Sequence, residues 1–395
     1  MPEQFLHGIE TTEVDDGLRP VQTVKSSVIG VVGTAPDADA AKFPMNTPVL
    51  LTSNPRLAVD LGETGTLQDA MDDINDQAWA ATVVVRVEEG VDADATMSNI
   101  VGSSAAMSGV HALVGAESEV KVTPRILIAP GFTSDRPGNA ANPVVSELQG
   151  IAARLRAVII ADGPNTNMTD AITYREDWGS DRIYVVDPGV KVWDTVGNVN
   201  VNRPASARVA GLLAKMDATK GFWWSPSNQV INGITGPARP IGFGMSDANC
   251  EANLMNEKEV ATIIHKNGYR LWGNRSCGTD PKWAFLCVRR TVDMVYESVE
   301  NAHQWAMDRP QSGNLIEDIQ GGVNAYLRHL TAKGALLGGK CWLDPSLNTP
   351  DQLMAGKLYM DYDLEPPAPM EHLVFRAHRE SGYYQEMIDQ VLTVR

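Results

Sequence analysis

Three segments of the chain share one pattern, an unbroken apolar run that stops at a turn rich in proline and glycine: Ile126-Leu127-Ile128-Ala129-Pro130-Gly131, Ala157-Val158-Ile159-Ile160-Ala161-Asp162-Gly163-Pro164 and Ile183-Tyr184-Val185-Val186-Asp187-Pro188-Gly189. Runs of this kind predict strands buried on both faces. Shorter runs at 27–33, 49–52 and 82–87 predict further strands, and 66–80 and 144–156 have helical spacing. Strands alternating with helices imply an α/β layer with a largely parallel sheet. Between them, 88–120 is rich in Ala, Ser, Gly and Asp and reads as a surface insertion.

After about Gly244 the pattern changes. Val292, Val295, Tyr296, Val299, His303 and Ala306 recur at helical spacing, as do Ile316, Ile319, Val323, Tyr326, Leu327 and Leu330, so two amphipathic helices are expected, the second interrupted by Gly321-Gly322. The segments 356–364 and 373–379 alternate as strands, split by Glu365-Pro366-Pro367-Ala368-Pro369. The expected whole is α/β, and α+β overall: residues 1–24 an arm joining an inner domain, 25–245 an outer α/β domain, 246–380 an inner C-terminal α+β domain and 381–395 a second arm. The first arm contains the threonine-rich stretch 7–14, which reads as an extended segment of low burial.

At 395 residues the chain is long for one core, and its 33 Lys and Arg against 49 Asp and Glu leave a formal charge of -16. An acidic surface repels nucleic-acid phosphates and anionic lipid, so neither is an expected partner. No segment approaches the unbroken apolar length of a membrane span, and 1–5 lacks the basic and apolar regions of a secretion signal, so residence in the cytoplasm is expected. Cys250, Cys277, Cys287 and Cys341 form no C-x-x-C pair and no zinc-ligand spacing with the scattered histidines, which fits reduced thiols and no metal.

The best case for catalysis uses Asp162 and Asp187 at the carboxyl ends of two parallel strands, where α/β folds bind ligands, with Asp194 as a third carboxylate. Asp before Gly or Pro is equally an ordinary turn former. Phosphate-loop, nucleophile-elbow, zinc-helix and dinucleotide signatures are absent. Arg289-Arg290, Arg270 and Arg275 have carboxylate partners available either within this acidic chain or on a neighbour.

The stretch from Asp187 to Arg275 is the most distinctive. It contains Asp187-Pro188-Gly189, Val192-Trp193-Asp194, Arg203-Pro204-Ala205-Ser206 with Ala210-Gly211, Gly221-Phe222-Trp223-Trp224-Ser225-Pro226, and Gly268-Tyr269-Arg270-Leu271-Trp272-Gly273-Asn274-Arg275. Pro204-Ala205-Ser206 reads as a helix start with a serine cap, Gly211 as a close-packing position, and Phe222, Trp223 and Trp224 as core beneath a loop. In this order, together with 27–35, 48–53 and Asp280-Pro281-Lys282-Trp283, these residues resemble the tail sheath proteins of contractile-tailed phages and R-type pyocins.

The resemblance implies a structural subunit with no catalysis and no cofactor, polymerised as a helix around a tail tube and contracting to drive the tube through a target envelope. Its implied partners are itself, the tube protein, and baseplate and tail terminator proteins. Its implied place is the virion tail, with the host cytoplasm during assembly. It further implies that two arms add strands to neighbouring subunits. Ile9 and Val14 would lie in one arm and Tyr383, Tyr384, Met387, Ile388 and Val391 in the other. Leu358, Met360, Tyr362, Val374 and Arg376 would lie in acceptor strands, and Arg328, His329 and Lys333 would face the tube.

Overall fold

The computed structural model describes residues 21–52 and 58–393. The expected arm residues Ile9 and Val14 lie outside them. In chain order, the first eleven strands are β1 (Ile29–Thr34), β2 (Pro48–Leu51), β3 (Thr82–Val87), β4 (Ile126–Ile128), β5 (Val158–Asp162), β6 (Ile183–Val186), β7 (Val190–Asp194), β8 (Val199–Arg203), β9 (Gly236–Pro237), β10 (Val260–His265) and β11 (Tyr269–Trp272). Eight form one sheet in the order β11-β10-β6-β5-β4-β1-β3-β2, while β8-β7-β9 form a small separate sheet. Neighbours from β10 through β3 pair in parallel, and antiparallel β2 and β11 close the two edges. Every residue of β1, β3, β4, β5 and β6 is buried, which is why these strands read as continuous apolar runs.

Both faces are covered by helices α1 (Leu67–Asn75), α2 (Ala93–Val101), α3 (Ala116–Val120), α4 (Pro143–Leu155), α5 (Met168–Glu176), α6 (Ser206–Thr219) and α7 (Glu251–Glu257). Residues of α1 and α6 pack with Ile29, Val31, Ile126, Ile160 and Tyr184 on one face. Gly211 permits this layer, because a Cβ there would lie 2.7 Å from the Ile74 carbonyl oxygen of α1. On the other face α4 and α5 meet Val32, Val83, Leu127, Ile159 and Val185. Ile100, Val110, Ala112, Leu113 and Ala116 are buried in that same cluster, so 88–120 is part of the covering layer and not a surface insertion. Its polar average comes from exposed residues such as Glu88, Glu89, Asp92, Asp94, Ser103 and Ser104, between which Ile100, Val110 and Leu113 are buried.

The second lobe comprises α8 (Leu286–Ala302), α9 (Gly313–Ala332), β12 (Gly338–Leu343), α10 (Pro350–Met354), β13 (Met360–Glu365) and α11 (Gly382–Thr393). Its core unites Met294 and Val295 of α8, Val323, Tyr326, Leu327 and Leu330 of α9, Cys341 of β12, and Phe222 from the loop after α6. Antiparallel β12 and β13 form a two-stranded sheet. The expected boundary at 245 does not coincide with the edge of the large sheet, which gains β10 and β11 after it and ends at Trp272. Two further expectations change. The strand expected over 356–364 begins only at Met360, leaving Leu358 before it, because Gly356 ends α10 at φ 77°. Residues 373–379, including Val374 and Arg376, have no regular structure, since no strand lies beside them.

An ionic layer along α8 joins the lobes. Arg182 makes two bonds to Asp293, at 2.6 and 3.0 Å, and Arg289 reaches the same carboxylate at 2.7 Å. Arg125 pairs with Glu297, and Arg156 bonds Glu300 through both carboxylate oxygens. Arg290 holds Asp217, at the end of α6, at 2.6 and 2.9 Å and donates to the Ser26 carbonyl at 3.3 Å. The adjacent Arg289-Arg290 therefore finds its carboxylates inside the chain. Arg290 and Asp217 are both buried, so each needs the other.

Asp162 does for α6 what Ser206 was expected to do. The Ser206 N–H donates to Asp162 Oδ1 at 2.8 Å and its hydroxyl to Oδ2 at 2.5 Å, while the Thr133 hydroxyl donates to Oδ2 at 3.2 Å. Serine is thus the first helical residue and a carboxylate from β5 is the cap. Burial pushes this carboxyl from 3.8 up to about 6, against the opposing pull of those hydrogen bonds.

Two measurements check this account. Arg290→Ala leaves Asp217 buried without its partner and should lower unfolding free energy in urea by about 3–5 kcal/mol; a loss below about 1 kcal/mol would show the pair to be dispensable. For Asp162, the folded state binds the proton more tightly than the unfolded state. Its contribution to stability is therefore greatest below about pH 4 and is lost as pH rises to about 6, by ~3 kcal/mol at most. Unfolding free energies of wild type and Asp162→Asn should diverge by about that amount across the window, whereas parallel profiles would contradict the raised carboxyl.

Candidate assembly surface

The carboxylates that made the best enzymatic case are consumed by the fold. Asp162 is the α6 cap. Asp187, fully buried after β6, accepts from the Asn165 N–H at 2.7 Å and from Arg239 Nη2 at 2.8 Å. Burial raises its carboxyl above the usual range while Arg239 pulls it down. The two turns also touch: a Cβ on Gly163 would lie 2.7 Å from the Asp187 Cβ, which leaves no room for a ligand between them. Asp194 is a half-buried hairpin residue accepting from the Val196 and Gly197 N–H groups. An open groove of about 460 Å³ is lined by Ser146, Gln149, Gly150, Ala153, Ser180, Asp181 and Arg182, and by none of these carboxylates.

Other reactive groups are equally committed. Burial pushes the Cys277 thiol up to about 12 and that of Cys287 to about 11, so neither supplies a thiolate near neutral pH. Among the described residues no group of three or more His, Cys, Asp or Glu is placed to hold a metal ion. Half-buried His303 bonds the Val299 carbonyl at 2.6 Å at the end of its helix. Phe222 is core, with Trp223 edge-on to it at 5.1 Å. Trp224 remains 47% exposed beneath the Lys220 ammonium, so the aromatic cluster is partly a surface feature.

What the chain leaves uncovered lies at its C-terminal end. From Glu371 to Thr393 every residue is exposed, including Leu373, Val374, Phe375, Tyr383, Tyr384, Met387, Ile388, Val391 and Leu392. Phe375 is 85% exposed. Elsewhere among the described residues exposed apolar side chains such as Val91, Val196 and Met354 are scattered, so this concentration makes the segment the candidate assembly surface. The expected strand-forming arm is a helix here. Tyr384, Met387, Ile388 and Val391 follow at intervals of three, one and three residues, a helical stripe.

Among the described residues β12 and β13 pair only with each other, and since the Cys341 N–H and carbonyl of β12 are already bonded by the Asn324 and Gln320 side chains of α9, the outer edge of β13 is the one left without a partner. Met360 and Tyr362 lie in β13 and pack toward the core of the second lobe. At the other end of the chain Val21 and Val24 rest on that same core. Thr23 Oγ1 lies 2.9 Å from the Tyr326 hydroxyl, and the Val24 N–H donates to Ser298 at 3.1 Å. Arg328, His329 and Lys333 stand exposed on the last turns of α9, with no carboxylate paired to them among the described residues.

Comparison with known proteins gives this surface a context. A family model described as the phage tail sheath protein central domain matches residues 105–277, and one described as the phage tail sheath C-terminal domain matches 278–379, so the division falls just after β11. A putative prophage major tail sheath protein of Pseudomonas aeruginosa is 39% identical over 389 residues, covering 98% of this chain and 99% of the relative. The tail sheath protein of Escherichia phage P2 is 36% identical over 398 residues, covering 98% of each. The contracted helical sheath of the anti-feeding prophage has the same fold, with a TM-score of 0.69 at 20% identity over 95% of this chain and all of the other. So has the contracted sheath of the extracellular contractile injection system PVC, with a TM-score of 0.71 at 16% identity over 97% of this chain. With 36% and 39% identity over nearly the full length of both partners in each comparison, the chain belongs to the phage tail sheath protein family.

Proposed function

We propose that this subunit of a contractile tail sheath polymerises as a helix around a tail tube through its two chain ends, and contracts without catalysing a reaction. The observation that carries the reading is the uncovered apolar segment 371–393, which follows β13 in a chain whose β13 edge has no partner strand among the described residues. An end that fits a neighbour's edge but not itself makes a heterologous contact, which repeats into rings or filaments. In this reading Ile9 and Val14 belong to the N-terminal arm, and Tyr383, Tyr384, Met387, Ile388 and Val391 to the C-terminal one. Residues 373–379 lack a partner strand in the single subunit, and the outer edge of β13 offers one. The second lobe with the N-terminal arm is the inner part near the tube, and the α/β lobe faces outward.

Contraction in this reading needs no cofactor. Two lobes locked by the α8 ionic layer move as one body, and the free-energy difference lies in contacts between bodies. The tube, baseplate and tail terminator are the further partners, and Arg328, His329 and Lys333 face the tube. The charge of -16 disfavours nucleic acid and anionic lipid as partners, and among the described residues no helix is long and apolar enough to cross a membrane. The particle's tail is the place of action, and the host cytoplasm the place of assembly.

Deleting residues 372–395 should shift the melting temperature of the subunit by less than about 2 °C, because that segment is exposed, yet abolish hollow cylinders in negative-stain electron microscopy with and without the tube protein. Cylinders formed normally by the truncated chain would remove the arm from the account. Charge reversal at Arg328 and Lys333 should weaken assembly around the tube and leave tube-free polymers intact. Unchanged tube-dependent assembly would sink the assignment of that helix end.

A further inference from the structure

Between Met370 and Thr393, one ion pair is the hydrogen-bonded contact with the body of the subunit among the described residues. Arg275 Nε donates to Glu371 Oε1 at 2.8 Å and Arg275 Nη2 to Oε2 at 2.6 Å, a two-point grip on the carboxylate. Both members are built for it. Arg275 sits on a short antiparallel ribbon, bridged to Phe285, with the neighbouring Ser276 N–H bonded to Ala284 and Leu286 N–H to Asn274. Its guanidinium lies 5.2 Å from the centre of the Phe285 ring. Glu259, whose charge also reaches Arg275, is occupied by Arg175 at 2.8 Å.

Glu371 arrives on a stiff tether. The Leu337 N–H holds the Glu365 carbonyl at the end of β13, and Pro366-Pro367-Ala368-Pro369 then follow, a composition that favours an extended chain of restricted φ. Two fixed points joined by a stiff link set a direction. Beyond Glu371 the side-chain hydrogen bonds of the segment among the described residues are local to it. The pair is also accessible, with side chains 36% and 39% exposed, so dissolved salt screens it, unlike the buried Arg182–Asp293 and Arg290–Asp217 pairs.

We propose that Arg275 and Glu371 form a releasable latch that sets the direction in which the C-terminal segment leaves the subunit. When the latch opens, the segment swings from Glu365 and reaches a differently placed neighbour without any change inside the two lobes. Its use between neighbours rests on the sheath reading, whereas the latch itself is a property of one subunit.

Spin labels at Lys258→Cys and His378→Cys, in a Cys250→Ser background and diluted with unlabelled protein, report that direction as a distance distribution. At low salt the full-length chain should give one narrow peak. Glu371→Gln and Arg275→Gln should each roughly double its width, as should about 1 M salt on the unaltered pair, where the screening length is ~3 Å. The exchanged pair Arg275→Glu with Glu371→Arg should restore the narrow peak. Equal widths in the unaltered chain and Glu371→Gln, indifference to salt, or an exchanged pair as broad as the single variants would each overturn the latch. Glu371→Gln lies on an exposed segment, so its result is independent of folding. Absence of cylinders from unlabelled wild-type protein would count against the sheath reading alone, because the distances are read within single subunits.

Discussion

The row of arginine–carboxylate pairs along α8 is the constraint on which the rest of the molecule depends. Without it, the eight-stranded sheet with its helices and the small second lobe would be two bodies joined through one loop and one helix. Asp293 receives two guanidinium groups, and Arg290 ties α8 to both α6 and the N-terminal segment through Asp217 and the Ser26 carbonyl. Buried pairs of this kind add less net stability than an apolar contact of equal size, but removing one partner is costly. They therefore specify one relative placement of the lobes and penalise every other. An apolar interface would tolerate sliding where this one does not.

A rigid subunit locates the mechanics. When neither lobe changes, a shorter and wider lattice has to differ from a longer one in how subunits contact each other and in the path of the segments that join them. The structure separates these roles by burial. The Arg182–Asp293 and Arg290–Asp217 pairs inside the body are shielded from solvent and salt, while the pair that orients the C-terminal segment is exposed. Strong contacts keep the shape, and the weak one sits where direction has to change.

The fold was legible where periodicity and burial agree. Continuous runs such as Ile126-Leu127-Ile128 and Val158-Ile159-Ile160-Ala161 could only be strands covered on both sides, and the helical stripes of α8 and α9 pointed at one core. Legibility failed where the partner lies far away in sequence. Residues 88–120 look polar on average because their buried positions, Ile100, Val110 and Leu113 among them, are spaced among many exposed ones. β12 reads Gly338-Gly339-Lys340-Cys341-Trp342-Leu343 and acquires its strand character only from β13 beside it. Asp162 resembled a catalytic carboxylate because the group it caps is 44 residues on. The family resemblance was legible in the order of turns and rings from Asp187 to Arg275, but the pairing of Arg275 with Glu371, 96 residues apart, has no local signal.

An exposed apolar segment on a free subunit is a hazard, since any hydrophobic surface will compete for it. Three features of this chain limit the competition. The charge of -16 makes two free subunits repel at long range, so approach in unproductive orientations is disfavoured before apolar contact begins. Folding 382–393 as a helix satisfies the backbone groups that an extended arm would leave open to pairing. The ion pair at Glu371 holds the root of the segment in one direction and shrinks the set of surfaces it can meet. Each safeguard is weak enough to be overcome by a correctly placed neighbour, whose unpaired edge and apolar surface offer more than the free chain loses. Polymerisation then follows from geometry at the growing end and not from the stickiness of the segment.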